Sequence, residues 1–276
     1  MKRIFLPVLL FSGVIAFSVF SCKKETPDTD TTTATDNSLC EGEFNRVMPT
    51  ANGIAIDDPG VNGNRMMPNA LSTGCPMDSI DPADTLDGYP VTMYIKYGTN
   101  CQCPDGKTRS GTLRCVFDTA WDSNNPTMTM YLENYYVNGV HFEGTMAITK
   151  NTSSRTFTQT MTNGKCSKHS GTDWEILYNC TRSMTWTAGY NTPADPNDDV
   201  FTFTGTASGT DRNGINFTVN VITPIEKRGD CRYITKGIFE VVPEGKNTRT
   251  VDFGNGTCDN KATLKIKNST FTFTLL

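Results

Sequence analysis

Histidine is nearly missing from this 276-residue chain, which holds only His141 and His169. Neither has the spacing of a metal motif, and Cys101-Gln-Cys103 is CxC, not CxxC, so zinc is not the expected role of the cysteines. Positive charge is also in short supply. The formal net charge is −4, and lysine and arginine are scattered with no basic stripe to neutralise phosphates, which excludes nucleic acid as a partner. Apolar residues at helical i, i+3, i+4 spacing do not recur after the first 21 positions, which argues against an α-rich fold.

The only long apolar run is Ile4 to Phe20, behind Met1-Lys2-Arg3. It is a little short of the roughly 20 residues a membrane-spanning helix needs and matches the signal-peptide pattern over residues 1–21. Its end, Val19-Phe20-Ser21-Cys22, resembles a bacterial lipobox, with Phe20 bulkier than usual. The resemblance implies cleavage before Cys22 and acylation of that residue. Residues 22–38, "CKKETPDTDTTTATDNS", hold little that can be buried and read as a disordered tether. Acidic residues near the lipidated cysteine resemble those of Bacteroidota-type lipoproteins sent to the cell surface. The expected location is therefore the outer membrane, lipid-anchored and surface-exposed, with a periplasm-facing placement left open.

Nine further cysteines stand at 40, 75, 101, 103, 115, 166, 180, 231 and 258. In an exported chain disulfides are the default reading, and an odd number leaves at least one thiol unpaired within the chain. Two stretches, 74–115 and 230–268, share an order of features. Each has a first cysteine (Cys75, Cys231), then an aromatic-Gly pair (Tyr97-Gly98, Phe253-Gly254) and a second cysteine (Cys101, Cys258). An Asp-x-Lys turn and a Thr-Leu strand close each copy. The cysteines lie 26 positions apart in one copy and 27 in the other, which predicts the disulfides Cys75–Cys101 and Cys231–Cys258. The partners of Cys40, Cys103, Cys115, Cys166 and Cys180 stay open. A weaker echo joins 108–149 to 181–223. It repeats Thr-Arg-Ser at 108 and 181, and Asn-Gly at 138 and 213, where a type I′ hairpin turn is expected.

Strict alternation fills the rest. In "INFTVNVIT" Ile215, Phe217, Val219 and Val221 share a face, and "TMTMYLEN", "VFTFTGT" and "STFTFTLL" follow the same rule. The expected fold is all-β: an antiparallel β-sandwich or a large curled antiparallel sheet with internal duplication, over residues 91–276. Residues 39–90 are rich in Gly, Pro and Asn and read as an irregular segment, with a short helix near Leu71. A lipobox, several cysteines and faces of Thr and Asn opposite Phe and Met argue against an outer-membrane barrel.

Candidate chemistry is thin. His141 follows a hairpin turn on a polar face and reads as solvated; His169 has Ser167, Ser170 and Asp173 as sequence neighbours, which is not a triad. Asp57-Asp58 and Asp198-Asp199 are adjacent pairs that tend to point apart. Residues 195–199 and 252–260 have oxygens for a weak calcium site but no twelve-residue loop pattern, so no cofactor is expected. Trp186 reads as core, and Trp121 as a loop residue on which a sugar could stack. Asp-(Ser/Thr)-x motifs at Thr31, Ser79, Thr85 and Thr119 match the O-glycosylation pattern of Bacteroidota-type exported proteins.

The phrases "YPVTMYIKYG", "NYYVNGVHFEGT", "SGTDRNGINFTV" and "DFGNGTCDNKATL" together resemble a group of Bacteroidota-type cell-envelope lipoproteins of uncharacterised function. The resemblance implies an all-β fold at the envelope and brings no catalytic residues with it. The expected function is a non-enzymatic structural or ligand-binding β module anchored in the outer membrane, whose partners are a glycan or another envelope protein. The alternatives are a glycan-binding component of a nutrient-uptake system and a hydrolase.

Overall fold

The computed structural model describes residues 28–58, 60–62, 76–81, 88–103, 105–171, 173–192, 195 and 197–275. The signal run, Cys22, Leu71, Cys75 and Thr85 lie outside them. A helix, α1 (Thr32–Asp57), is followed by thirteen strands: β1 (Met77–Asp81), β2 (Val91–Gln102), β3 (Thr108–Phe117), β4 (Thr127–Val137), β5 (Val140–Asn151), β6 (Thr156–Lys168), β7 (Trp174–Ala188), β8 (Val200–Thr210), β9 (Asn216–Arg228), β10 (Ile234–Pro243), β11 (Arg249–Asn255), β12 (Lys261–Ile266) and β13 (Ser269–Thr274). All thirteen form one sheet in sequence order, each strand antiparallel to the next, and among the described residues no ladder joins β13 to β1. The architecture is thus all-β, a single antiparallel meander that curls on itself.

Alternation sets the faces. Along β7, residues 176, 178, 180, 182, 184 and 186 are buried, while 175, 177, 179, 181 and 183 are exposed. The inner face of the sheet carries Met93, Leu113, Met130, Phe142, Met161, Phe203 and Phe239 among others.

The curl comes from a belt of β-bulges. Register shifts interrupt β2, β3, β4, β5, β6, β8 and β10 near their middles. At each one lies a residue with positive φ: Gly98, Gly111, Asn134, Gly144, Asn163, Gly205 or Gly237. A bulge bends its strand and increases its twist, so a row of them rolls the sheet. Gly205 shows why the residue type is fixed. Its φ is 118°, and a Cβ there would sit 2.2 Å from the Thr181 carbonyl oxygen. The roll brings the β2–β3 turn against the β9–β10 turn, where a Cβ on Gly106 would stand 3.3 Å from Nη1 of Arg232.

The sequence repeats fall on matching places. The first long copy occupies β1–β2–β3 and the second β10–β11–β12, with the Cys231–Cys258 bond in place. Cys101 is disulfide-bonded too; its expected partner, Cys75, is outside the described residues. The weaker echo falls on β3–β4–β5 and β7–β8–β9. Its two turns differ. Asn138 and Gly139 both have positive φ (49° and 78°), as a type I′ turn requires, whereas at the second turn only Gly214 does. There the loop is longer, Asp211 to Ile215, and the Asp211 carboxylate accepts the N–H groups of Asn213 and Ile215.

The main departure from expectation is α1. Residues 32–38 were expected within a tether and 39–57 within an irregular segment; they form one helix, buried on nearly every side. The helix lacks an apolar stripe because it lies inside the rolled sheet, where only a row that includes positions 35, 39, 42, 46, 50 and 53 is partly exposed. Its interior positions include Asp36, Asn37, Glu41, Glu43, Asn45 and Asn52, each at most 2% exposed. Such groups tolerate burial only with partners. Phe44 supplies apolar contact, stacked on Tyr178 and edge-on to Phe142. Among the described residues, no helix is long and apolar enough to cross a membrane.

Candidate functional site

The buried polar groups form a seam between an acidic helix and a cationic inner sheet face. Asp36 receives three bonds from Arg212 (backbone N 2.9 Å, Nε 2.8 Å, and Nη2), and Thr33 donates to Asp211 at 2.6 Å. Glu41 pairs with fully buried Arg182 of β7, and Asn45 accepts from Gln159 of β6 at 3.1 Å. Before the helix, Asp28 accepts from Arg249 (3.1 Å) and Asn247 (3.0 Å), and Asp30 pairs with Lys246. Much of the acid expected to sit in a free tether is therefore docked on the β10–β11 end of the sheet.

The densest cluster surrounds Glu43. Its carboxylate accepts Arg109 Nε and Nη2, both at 3.1 Å, and the Tyr135 hydroxyl at 2.7 Å, with Lys107 Nζ at 3.6 Å. Arg109 also donates to both oxygens of Asp105 at 2.8 Å, and Arg46 reaches Asp105 at 3.2 Å. Burial alone would raise the Glu43 carboxyl; the Arg109 and Lys107 charges overcome that and hold it at about 2. Burial likewise opposes ionisation of Asp105, and its bonds from Arg109 and the charge of Arg46 pull it well below the usual carboxylate range. Lys227 of β9 is driven far down by burial and then by Arg46 and Lys107. It donates to the carbonyls of Cys231 and Tyr233, at 3.0 and 3.1 Å. Perturbed groups cluster at functional sites and equally in structural ion networks. Here Asp36, Glu41, Glu43 and Asp105 are each matched by a cation of the same seam, which is the arrangement of a structural lock.

Outside the seam, a cavity of about 380 Å³ is lined by Asn197, Asp198, Asp199, Val200, Glu226, Arg228 and Asp230. Asp199 is buried, and its Oδ1 accepts the Trp186 indole N–H at 2.8 Å, whereas Asp198 is exposed and accepts the Thr192 hydroxyl. The adjacent carboxylates do not point apart: a Cβ on Gly189 would stand 2.3 Å from Oδ1 of Asp199 and 2.9 Å from Oδ1 of Asp198, so the two converge beside that glycine. Burial raises Asp199 to about 6, the Trp186 bond opposes this, and Asp198 and Asp195 add to the rise. Glu226 accepts from Thr235 at 2.8 Å, and Asp230 pairs with Arg228. The cavity suits a cationic or hydroxyl-rich group through carboxylate acceptors.

Trp121 is not a stacking platform. It is 0% exposed, donates its indole N–H to Asn52 of α1 at 3.0 Å and lies edge-on to Phe117. It anchors the C-terminal half of the helix. Its neighbours in "DTAWDSNNP" are turn formers, which hid this role.

His141 stacks on Tyr136 with centroids 4.4 Å apart, and its Nδ1 is 3.5 Å from Glu143. His169 is exposed, whereas Ser167 is buried with its hydroxyl unpartnered, so the two do not face each other. In the two stretches expected to offer calcium oxygens, Asp195, Asp252 and Asp259 each accept a backbone N–H of their own turn. Asp58 does the same for Gly60 and Val61. Among the described residues no group of three or more His, Cys, Asp or Glu is placed to hold a metal ion. Of the glycosylation motifs, Thr119 is exposed in a turn, Ser79 is half-buried on β1 and Thr31 is half-buried at the start of α1. No family model, curated protein or solved structure matches the chain.

Proposed function

We propose that the chain is an outer-membrane-anchored lipoprotein that acts as a non-enzymatic structural or ligand-binding β module at the cell envelope, exposed at the cell surface. The observation that carries the reading is that α1 fills the inside of the rolled sheet and that its acids pair with the sheet's own cations. A curled sheet that carried a ligand inside would need that space. Binding therefore falls to the outer surface, where the partner is a glycan or another envelope protein.

The lipobox supplies the anchor, and the docking of Asp28 limits its reach. Six residues beyond Cys22 the chain is already fixed to Arg249 and Asn247, so the β10–β11 end lies within about 20 Å of an acylated Cys22 at 3.3–3.6 Å per residue. The test is incorporation of a palmitate analogue in the native host, with Cys22→Ser as the control. No label in the wild type, or equal label in the variant, refutes the anchor; protease treatment of whole cells then reads which side the protein faces.

A second reading is glycan binding at the carboxylate-lined cavity beside Trp186, where the acceptors of Asp198, Asp199 and Glu226 meet a wall of β8 and β9. A glycan array probed with the soluble fragment 28–276 tests it, and binding that survives Asp198→Ala and Glu226→Ala places the ligand elsewhere.

A further inference from the structure

Among the described residues five cysteines are free thiols: Cys40, Cys103, Cys115, Cys166 and Cys180, all buried. Two of them face each other across the helix–sheet interface. Sγ of Cys40 on α1 lies 3.1 Å from Sγ of Cys166 on β6, and neither residue has exposed surface. The other close sulfur pair, Cys101 and Cys103, stands at 3.7 Å, and Cys101 is already bonded. A disulfide needs sulfurs about 2.05 Å apart, so the Cys40–Cys166 gap closes with roughly 1 Å of movement, within the reach of side-chain rotation.

We propose that Cys40 and Cys166 form a disulfide that staples α1 to the middle of the sheet. The oxidant is a disulfide donor, either an oxidised protein dithiol or oxidised glutathione. One cysteine thiolate attacks the donor disulfide; a mixed disulfide forms and one donor sulfur leaves, taking up the proton that the cysteine gave. The second cysteine then attacks the mixed disulfide, the Cys40–Cys166 bond forms and the second donor sulfur leaves as a thiol. Two cysteine thiols are oxidised and one donor disulfide is reduced to two thiols, with no other reactant.

Both sulfurs are sealed once the helix is seated, so the exchange belongs to the folding chain. Burial, followed by the neighbouring Cys166, Asp36 and Glu41, pushes the Cys40 thiol well up, and the seated thiol is inert to later exchange. The bond would join residues 126 positions apart and hold a helix that is weak on its own.

The pairing and the export reading are tested separately. The full chain, purified in detergent, is refolded with oxidised and reduced glutathione, alkylated in denaturant without reductant, digested and mapped. The expected result is a linked Cys40–Cys166 peptide, with Cys103, Cys115 and Cys180 alkylated. Alkylated Cys40 and Cys166 beside an intact Cys231–Cys258 overturn the proposal, because the same oxidant has then closed another pair and left this one open. A Cys166→Ala variant should leave Cys40 alkylatable; a Cys40 that finds another partner there and in the wild type also overturns it. As a second readout, a reductant should lower the urea midpoint of the wild type more than that of Cys40→Ala/Cys166→Ala, and equal shifts count against the bond. In protein from the native host, reduction of Cys231–Cys258 as well would count against export, while the refolding result alone decides the pairing.

Discussion

Replacing Glu43 with glutamine removes one charge from the centre of the seam and should cost about 3–5 kcal/mol of folding stability at pH 7. Two routes reach this magnitude. The first is structural. Arg109 is 3% exposed and Lys107 5%, and both face Glu43, so glutamine leaves cationic charge buried with only Asp105 to balance it. The second is linkage. Glu43 titrates at about 2 in the fold against an ordinary 4.5, a difference worth roughly 3 kcal/mol at about 1.4 kcal/mol per pH unit. Because the folded value is the lower one, this stability is complete above about pH 4.5 and is lost as pH falls towards 2. Urea unfolding followed by circular dichroism, at intervals from pH 7 to pH 3, would therefore show two effects in Glu43→Gln: a lower midpoint at neutral pH and a flatter acid limb. Glu43→Leu/Arg109→Met provides the sharper comparison. Both charges leave together, and Arg46 and Lys107 remain to balance Asp105, so the double variant should cost clearly less than the two single variants added. A glutamine variant within about 1 kcal/mol of the wild type, or strictly additive single and double variants, would refute the view that these charges depend on one another.

Asp199→Asn keeps an oxygen for the Trp186 indole while removing a carboxylate that titrates at about 6 in the fold. Since the folded value is the higher one, the wild type loses stability as pH rises from about 4 through 6. The variant should be the more stable at pH 7.5 by about 1–2 kcal/mol, allowing for solvent screening, and equal to the wild type at pH 4, as read by denaturant midpoints. Gly205→Ala should destabilise by about 3 kcal/mol or more, since its Cβ meets the Thr181 carbonyl, whereas Gly139→Ala meets nothing within 4 Å and should cost only about 1–2 kcal/mol for its backbone conformation. Similar losses at the two glycines would argue against the bulge belt as the source of the curl. Trp121→Ala should cost about 3–5 kcal/mol and leave Asn52 without its donor; a mild effect would show that α1 is not anchored there. A soluble fragment beginning at Ser38 should unfold at lower urea than one beginning at Asp28, because it loses Thr33, Asp36 and the Asp28–Arg249 pair.

Strand periodicity was legible because one face of each strand meets a core and the other meets water. Phe217 and Val219 are buried while Thr218 and Asn220 are exposed, as their alternation predicts. The Cys231–Cys258 bond was legible from the repeat. The helix was not, for two physical reasons. Thr, Asn, Gly and a mid-helix Pro49 give α1 low intrinsic propensity, and its enclosure removes the apolar stripe that marks a surface helix. Asp36 looked like an acid of a solvated tether, and Glu41 and Glu43 fell in a segment that read as irregular. What distinguishes them are partners such as Arg182 and Arg212, more than a hundred positions away, which no local window contains. Trp121 was misjudged for the same reason, since its partner Asn52 belongs to that helix.

The position of α1 at the start of the fold has a consequence for the order of events during synthesis. The helix is made first, yet its partners follow late: Arg109 is 66 positions away from Glu43, Arg182 is 141 from Glu41 and Arg212 is 176 from Asp36. A segment of poor helix formers carrying like charges has no reason to coil before those cations arrive. Folding must therefore wait for nearly the whole chain and then close contacts of long sequence separation, which is slow. If the chain is exported as proposed, such lateness would be an advantage, because the threading end would stay pliant until the last strands are through.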